Sequence, residues 1–167
     1  MESAAKIKEI LQAASIEKLP EFIAEHETDP RSGVQKLVAS AQKKLDALEK
    51  EKQRIEKLKK YEREYAQYSY ICGIDEVGRG PLAGPVVAGA VILPKDCHIL
   101  YINDSKQLSE KKREELYDVI TREAVAWAVG YASPKRIDEI NILQATYEAM
   151  REAIGKLTPA PELLLND

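Results

Sequence analysis

The chain has 167 residues, of which 44% are hydrophobic and 32% charged, and its formal net charge is −3. This composition is typical of a globular protein, and no apolar run is long enough to cross a bilayer. The two cysteines, Cys72 and Cys97, and the two histidines, His26 and His98, lack zinc-ligand spacing, which disfavours a structural zinc cluster. Residues 1–15 lack a secretory pattern, so we expect a cytoplasmic protein.

Charge is distributed unevenly along the chain. Residues 1–30 contain 3 basic and 7 acidic side chains, residues 31–63 contain 11 and 5, and residues 64–167 contain 11 and 16. A basic segment therefore precedes an acidic one. The net charge alone argues against a protein that coats nucleic acid without specificity.

The first part of the chain is predicted to be helical. Residues 1–28 have the apolar spacing of two short helices. Asp29-Pro30 resembles an N-cap followed by proline, and one helix of about 36 residues is predicted from there to about Ala66. Its apolar side chains follow the spacing of a narrow, coiled-coil-like stripe. They are Val34, Val38, Ala41, Leu45, Leu48 and Ile55.

Two interpretations of this long helix remain open. In one, the apolar stripe packs on the two short helices as a small bundle, and the lysines are simply solvated. In the other, the basic side chains contact nucleic-acid phosphates, and the salt dependence of duplex binding distinguishes the two. The basic residues concerned are Lys43, Lys44, Lys50, Lys52, Arg54, Lys57, Lys59 and Lys60. We place the end of this helical region, residues 1–67, at Gln67.

An acidic pair lies between two apolar runs in the second part of the chain, residues 68–167. The run from Ile71 to Ile74 is followed by Asp75 and Glu76, then by a Gly/Pro-rich corner at residues 78–85 and a second run at residues 86–93. The β-branched residues and the bounding Gly and Pro predict strand, loop, strand.

The acidic pair has two explanations. Two carboxylates this close repel each other unless a cation neutralises them, and a ligand set of oxygens suits Mg²⁺ or Mn²⁺. The alternative is a solvated turn at the end of a strand, without a ligand. The corner is not a phosphate-binding P-loop, because no Gly-Lys-Ser/Thr follows its glycines.

The rest of the chain predicts alternating helices and strands. Ser109 is expected to cap a helix. Residues 125–131 alternate large with small side chains, which predicts a strand whose small face lets a helix approach closely. That helix is predicted to begin at Ser133-Pro134 and to end at Gly155. Leu163 to Leu165 is predicted to be a strand buried on both faces, because it is wholly apolar.

Three segments resemble the bacterial ribonuclease HII family. Residues 73–87, GIDEVGRGPLAGPVV, resemble the opening signature of the family. Residues 104–109, DSKQLS, resemble its Asp-Ser-Lys-x-Leu element, and residues 137–142, IDEINI, resemble the start of the helix after its third strand. The resemblance covers about Tyr70 to Asp167 and extends loosely to the N-terminal part, since some members carry a helical extension there.

This resemblance implies a fold and an activity. The fold would be α/β, a ribonuclease-H-like mixed sheet with adjacent, parallel first and fourth strands, preceded by an all-α N-terminal extension. The protein would be a monomeric endoribonuclease of DNA replication and repair that hydrolyses the RNA strand of RNA–DNA hybrids. It would also nick duplex DNA 5′ to embedded ribonucleotides, using two Mn²⁺ or Mg²⁺ ions.

The resemblance also implies the site residues. The catalytic residues and metal ligands would be Asp75, Glu76 and Asp167. Glu76 would reach the metal only if the chain turns there, since neighbouring strand residues face opposite ways. The substrate-binding residues would be Gly78, Arg79, Gly80, Ser105 and Lys106. Gly78 to Gly80 would read the ribose 2′-hydroxyl, and Ser105 with Lys106 would hold a phosphate. Alternatively, Arg79 is a surface arginine held by a carboxylate, and Lys106 is a solvated loop lysine.

The family has a further stretch, with a fifth strand and a fourth carboxylate, beyond the part matched by this chain. We therefore expect domain 68–167 to be C-terminally truncated, its sheet incomplete, and these residues alone not to turn over substrate. Two other functions remain open. One is a non-catalytic nucleic-acid-binding module that uses the basic helix. The other is a different nuclease of the same fold, such as a junction resolvase, which would be indifferent to ribose.

Overall fold

A helical unit is followed by a unit built on a mixed β-sheet. The computed structural model describes residues 2–80 and 83–166, and the chain divides into two compact units, Met1–Lys57 and Leu58–Asp167. The helices are α1 (Ala4–Ala13), α2 (Leu19–His26), α3 (Ser32–Leu58), α4 (Lys60–Glu64), α5 (Glu110–Glu123), α6 (Pro134–Ile140) and α7 (Ile142–Gly155). The strands are β1 (Ile71–Val77), β2 (Val86–Ile92), β3 (Ala126–Ala132) and β4 (Leu163–Asn166). Among the helices in these two described ranges, none combines the length and apolarity that crossing a membrane requires.

The first unit is a small bundle of α1, α2 and α3. One apolar cluster joins the three helices, and it contains the first part of the stripe, from Val34 to Leu45, as the bundle interpretation expects. Among the described residues, Leu48 and Ile55 of the stripe are not members of this cluster. Its buried members are Ile7, Leu11, Leu19, Phe22, Val34 and Ala41. Ser3 begins α1 as its N-cap and accepts a hydrogen bond from the Lys6 backbone N–H at 3.3 Å.

The long helix is shorter than predicted at both ends. It begins at Ser32, because its first α-helical backbone hydrogen bond runs from the Gln35 N–H to the Arg31 carbonyl at 3.0 Å. The Asp29 carboxylate lies just before this start and accepts hydrogen bonds from the backbone N–H (3.0 Å) and guanidinium (2.6 Å) of Arg31. The helix ends at Leu58, since the backbone of Lys59 departs from helical geometry (ψ 20°) before α4 begins. The helix therefore has 27 residues, which corresponds to about 40 Å at 1.5 Å per residue.

The sheet has the strand order β3-β2-β1-β4. β1 is antiparallel to β2, with Cys72 opposite Ile92 and Val77 opposite Val87, and β2 is antiparallel to β3. β1 is parallel to β4, as the family resemblance predicted. β1 thus lies between an antiparallel and a parallel neighbour.

One helix covers one face of this sheet at very short range. α7 packs on β2 and β3 through alanines, and the small side chains of β3 face it. A Cβ atom added to Gly130 would lie 1.8 Å from the carbonyl oxygen of Ala149, a distance that no side chain can occupy. The prediction that the small face of this strand admits a close helix is therefore confirmed. The buried alanines of α7 are Ala145, Ala149 and Ala153.

Two predictions about the second unit are wrong. The single helix from Ser133 to Gly155 is interrupted at Asn141, whose φ of 69° ends α6 and whose side chain accepts the Gln144 backbone N–H at the start of α7. β4 was predicted to be buried on both faces, but in the described sheet it has β1 as its one neighbour. Leu164 is accordingly 46% exposed.

The outer edge of β3 is blocked by side chains of α7. Glu152 accepts the Tyr131 backbone N–H at 3.0 Å, and the Lys156 ammonium donates to the Val129 carbonyl at 2.9 Å. The hydrogen bond from Lys156, followed by that from Tyr131, lowers the pKa of the Glu152 carboxyl. These contacts satisfy backbone groups that would otherwise invite another strand to pair.

Candidate active site

The acidic pair lies inside β1 and not after it. Asp75 is paired with Gly89 and Glu76 with Ala88, and the ladder continues to Val77. Neighbouring residues of a paired strand face opposite sides of the sheet, so the chain makes no turn at Glu76 that would bring the two carboxylates to one face. Asp75 is exposed and Glu76 half-buried.

Each carboxylate has a local hydrogen-bond partner. Asp75 Oδ1 accepts the backbone N–H of Glu76 at 2.8 Å, and Glu76 Oε1 lies 3.4 Å from Nη1 of Arg79. The Arg79 side chain is 48% exposed, so this pair contributes at most about 1 kcal/mol to stability. The contact agrees with the interpretation of Arg79 as a surface arginine held by a carboxylate.

The glycine corner has a strict requirement at one position. Gly78 has φ +100°, and a Cβ atom there would lie 2.2 Å from the Pro85 carbonyl oxygen. Gly80 has nothing within 4 Å of an added Cβ atom. Position 78 therefore requires glycine, because any side chain there would clash with the Pro85 carbonyl. At position 80 a side chain would have space.

Ser105 and Lys106 lie on an exposed 3-10 turn, Ser105–Gln107, before α5. Asp104 caps this turn by accepting the Lys106 backbone N–H at 2.9 Å. Within residues 2–80 and 83–166, the Lys106 ammonium group has no hydrogen-bond or ion-pair partner. Ser109 caps α5 as predicted, and its side chain accepts the Lys112 backbone N–H.

Sequence reasoning missed the residue that fixes this turn. Arg113 Nη1 donates to the Leu108 carbonyl at 2.6 Å and to the Ser105 carbonyl at 3.2 Å. The available signal was its position four residues after the N-cap Ser109, where a long side chain can reach back over the first turn of α5.

The third predicted ligand, Asp167, lies outside the described residues. The parallel ladder ends with Ile74 opposite Asn166, one residue before Asp75 on β1. In the described part of the chain, no three His, Cys, Asp or Glu side chains group closely enough to hold a metal ion. The described structure therefore places Asp75 and Glu76 beside the parallel edge but on opposite faces of β1, so a single ion there could take only one of the two carboxylates.

Two family models match this chain, the ribonuclease HII N-terminal domain over residues 3–66 and ribonuclease HII over residues 72–167. The chain belongs to the ribonuclease HII family. The ribonuclease HII of Lachnoclostridium phytofermentans is 65% identical over 140 residues, which are 84% of this chain and 55% of that protein. That of Clostridioides difficile is 49% identical over 167 residues, covering 99% of this chain and 66% of that protein.

Among solved structures, the crystal structure of ribonuclease H2 from Pyrococcus horikoshii matches with a TM-score of 0.50 and 29% identity. The match covers 59% of this chain and 49% of that one. The predicted fold class, a ribonuclease-H-like mixed sheet preceded by an all-α region, is confirmed. The chain spans 55% and 66% of the length of the two relatives described above. The boundary at residue 67 stays a prediction.

Proposed function

We propose that this ribonuclease HII-family protein is a metal-dependent endoribonuclease that hydrolyses the RNA strand of RNA–DNA hybrids. We propose further that it nicks duplex DNA on the 5′ side of an embedded ribonucleotide. The supporting observation is that β1 bears Asp75 and Glu76 next to a parallel strand, β4, in a chain of this family. A cytoplasmic location and a monomeric state stay predictions.

The donor atoms at this edge are of the kind that a hard divalent cation takes. Asp75 and Glu76 carry carboxylate oxygens, and oxygen ligands are those of Mg²⁺ and Mn²⁺. Because the two side chains leave β1 on opposite faces, Asp75 would be the ligand on its face, and Glu76 would join it only if the end of β1 turned. The proposal adds Asp167 as the third ligand and requires the β1–β4 ladder to extend by one pair beyond Ile74 and Asn166. When bound, a pair of such ions would supply an activated water and stabilise the leaving oxygen.

The glycine corner and the turn before α5 would bind the substrate. Gly78 and Gly80, on either side of Arg79, have no side chains that keep a ribose away, so the backbone at these two positions can approach a 2′-hydroxyl, the group that distinguishes RNA from DNA. Lys106 is an exposed ammonium on a turn that Arg113 fixes, which suits it to hold a substrate phosphate together with Ser105.

The test is cleavage of a DNA duplex that contains one ribonucleotide, in Mn²⁺, together with Mn²⁺ titration by calorimetry. The wild-type chain is expected to bind Mn²⁺, and Asp75→Asn to bind it at least tenfold more weakly, because a ligand charge is lost. Asp118→Asn, which removes an exposed carboxylate on α5, is the matched control. A nick 5′ to the ribonucleotide supports the proposal. If the truncated domain cannot turn over substrate by itself, we expect Mn²⁺ binding that depends on Asp75 but no nick.

Other outcomes point to the other functions. A chain that cuts an all-DNA duplex equally well is a different nuclease of this fold. A chain that binds the duplex equally or more tightly after Asp75→Asn, and never takes up Mn²⁺, is a non-catalytic binding module. Either result would overturn the ribonuclease proposal.

A further inference from the structure

The solvent-facing side of α3 carries a row of lysines. Four of them recur at intervals of seven residues, and all four are exposed. They are Lys36, Lys43, Lys50 and Lys57, which we call the lysine row. Seven residues are nearly two helical turns, so successive members lie about 10.5 Å apart and within about 20° of each other around the helix.

The lysine row lies opposite the face that packs in the bundle. Lys36 and Lys43 each follow a fully buried residue, Val34 and Ala41, by two positions, which is about 200° around the helix. The row is therefore not part of the apolar stripe. Its side chains are free to meet a partner without disturbing the core of the first unit.

The positive charge of the lysine row is not neutralised within the chain. Throughout residues 2–80 and 83–166, no side chain forms an ion pair or hydrogen bond with these four ammonium groups. The nearest acidic residue around the helix is Asp46, about 50° away, and its carboxylate accepts a hydrogen bond from the Gln42 amide at 2.8 Å. Arg54, on the same side, is by contrast bound to Glu51 at 2.8 Å.

We propose that the lysine row binds the sugar–phosphate backbone of the duplex substrate. This rests on the proposed function, since a nuclease of RNA–DNA hybrids has a duplex as its partner. From Lys36 to Lys57 the row spans about 32 Å, or about nine base pairs at 3.4 Å each, nearly one turn of a duplex. Laid along the duplex axis, a row of that length would reach phosphates of both strands. An anionic membrane is a weaker candidate, because the apolar face that such a helix would insert is buried in the bundle.

The test is duplex binding in EDTA, where no metal-dependent cutting takes place. Fluorescence anisotropy would give the Kd of the full chain for a 20-base-pair duplex with one ribonucleotide, between 50 and 200 mM salt. Each lysine that contacts a phosphate contributes about 0.9 to the slope of log K against log salt. Lys43→Gln with Lys50→Gln is expected to lower that slope by about 0.9 to 1.8, and arginine at both positions to restore it.

The matched control changes two other exposed lysines of the same helix. Lys44→Gln with Lys52→Gln removes the same charge at the same helix propensity, but both residues lie well off the lysine row. The control is expected to keep the wild-type slope, and circular dichroism verifies that both variants fold. Equal slopes for the two double variants would overturn the proposal. It would also be overturned if Lys43→Gln with Lys50→Gln weakened binding to vesicles of anionic lipid and left duplex binding unchanged.

The two proposals fail separately. A nick that depends on Asp75, with an unchanged salt slope in the Lys43/Lys50 variant, would overturn the role of the lysine row and leave the nuclease intact. A lowered salt slope in the Lys43/Lys50 variant, together with no Mn²⁺ binding and no nick by the wild-type chain, would support the role of the lysine row and overturn the nuclease proposal.

Discussion

Replacing Gly130 by alanine tests the close packing of α7 on the sheet. The added Cβ atom would lie 1.8 Å from the Ala149 carbonyl oxygen and 2.7 Å from the Ala153 nitrogen, both of them backbone atoms. A contact of about 3.4 Å requires the helix to move by well over 1 Å, since no flexible side chain can give way. Overpacking of this kind costs about 1–3 kcal/mol, offset by up to about 1 kcal/mol from the stiffer unfolded chain. We expect a net loss of about 2 kcal/mol.

The assay is urea unfolding followed by tryptophan fluorescence. Trp127, the one tryptophan of the chain, lies on β3 three residues before Gly130 and therefore reports on the second unit. For a urea m-value of about 2 kcal/mol/M, a loss of 2 kcal/mol lowers the midpoint by about 1 M. Gly89→Ala is the control. Gly89 lies on β2, opposite Val129 of β3, and a Cβ atom added to it meets nothing within 4 Å. Equal midpoints for the two variants would refute the packing argument.

Two further predictions concern other parts of the chain. Gly78→Ala is expected to lower the free energy of unfolding by about 1–3 kcal/mol in the same urea assay, because of the left-handed φ and the clash with Pro85. Gly80→Ala, the control, should lower it by under about 0.5 kcal/mol. Similar losses for both variants would contradict the geometry of the glycine corner. In the first unit, the Arg31 side chain and then its backbone N–H lower the pKa of Asp29 from 3.8 to about 2. The carboxylate therefore stabilises the fold above pH 3.8, and this contribution is lost as the pH falls towards 2. Helical circular dichroism between pH 5 and 2 should fall less steeply in Asp29→Asn; an identical curve would show that the pair contributes nothing.

The parts of the fold that depend on local patterns were predictable from the sequence. The alternation of large and small residues around Gly130 predicted a strand with a helix held close to it, and Ser109 marked the start of α5. The parallel pairing of β1 with β4 came from the family resemblance, because strand order is set by contacts far apart in the sequence.

Other features have no comparable local signal. Neither proline nor glycine follows Leu58 before Gly73, so the end of α3 was placed about eight residues late. Asn141 can adopt the left-handed conformation, but nothing else in its segment distinguishes it from an ordinary helical asparagine. Leu163 to Leu165 have the apolar composition of a central strand, yet their exposure depends on which strands lie beside them.

The candidate site was predictable in its residues but not in its arrangement. Asp75 and Glu76 were expected to follow the end of a strand at Ile74. The ladder to β2 continues through Val77, so strand alternation separates the directions of their side chains. One alternative from the sequence had a carboxylate holding Arg79, and the structure identifies Glu76 as that carboxylate, at 3.4 Å.

The metal site itself is tested most directly by a crystal structure of this chain grown with Mn²⁺, using the anomalous scattering of the ion. The proposal predicts an Mn²⁺ peak bound by the carboxylates of Asp75 and Asp167, with ligand distances under about 2.5 Å. Carboxylates at positions 75 and 167 that lie more than about 5 Å apart, too distant to bind one ion, would contradict it.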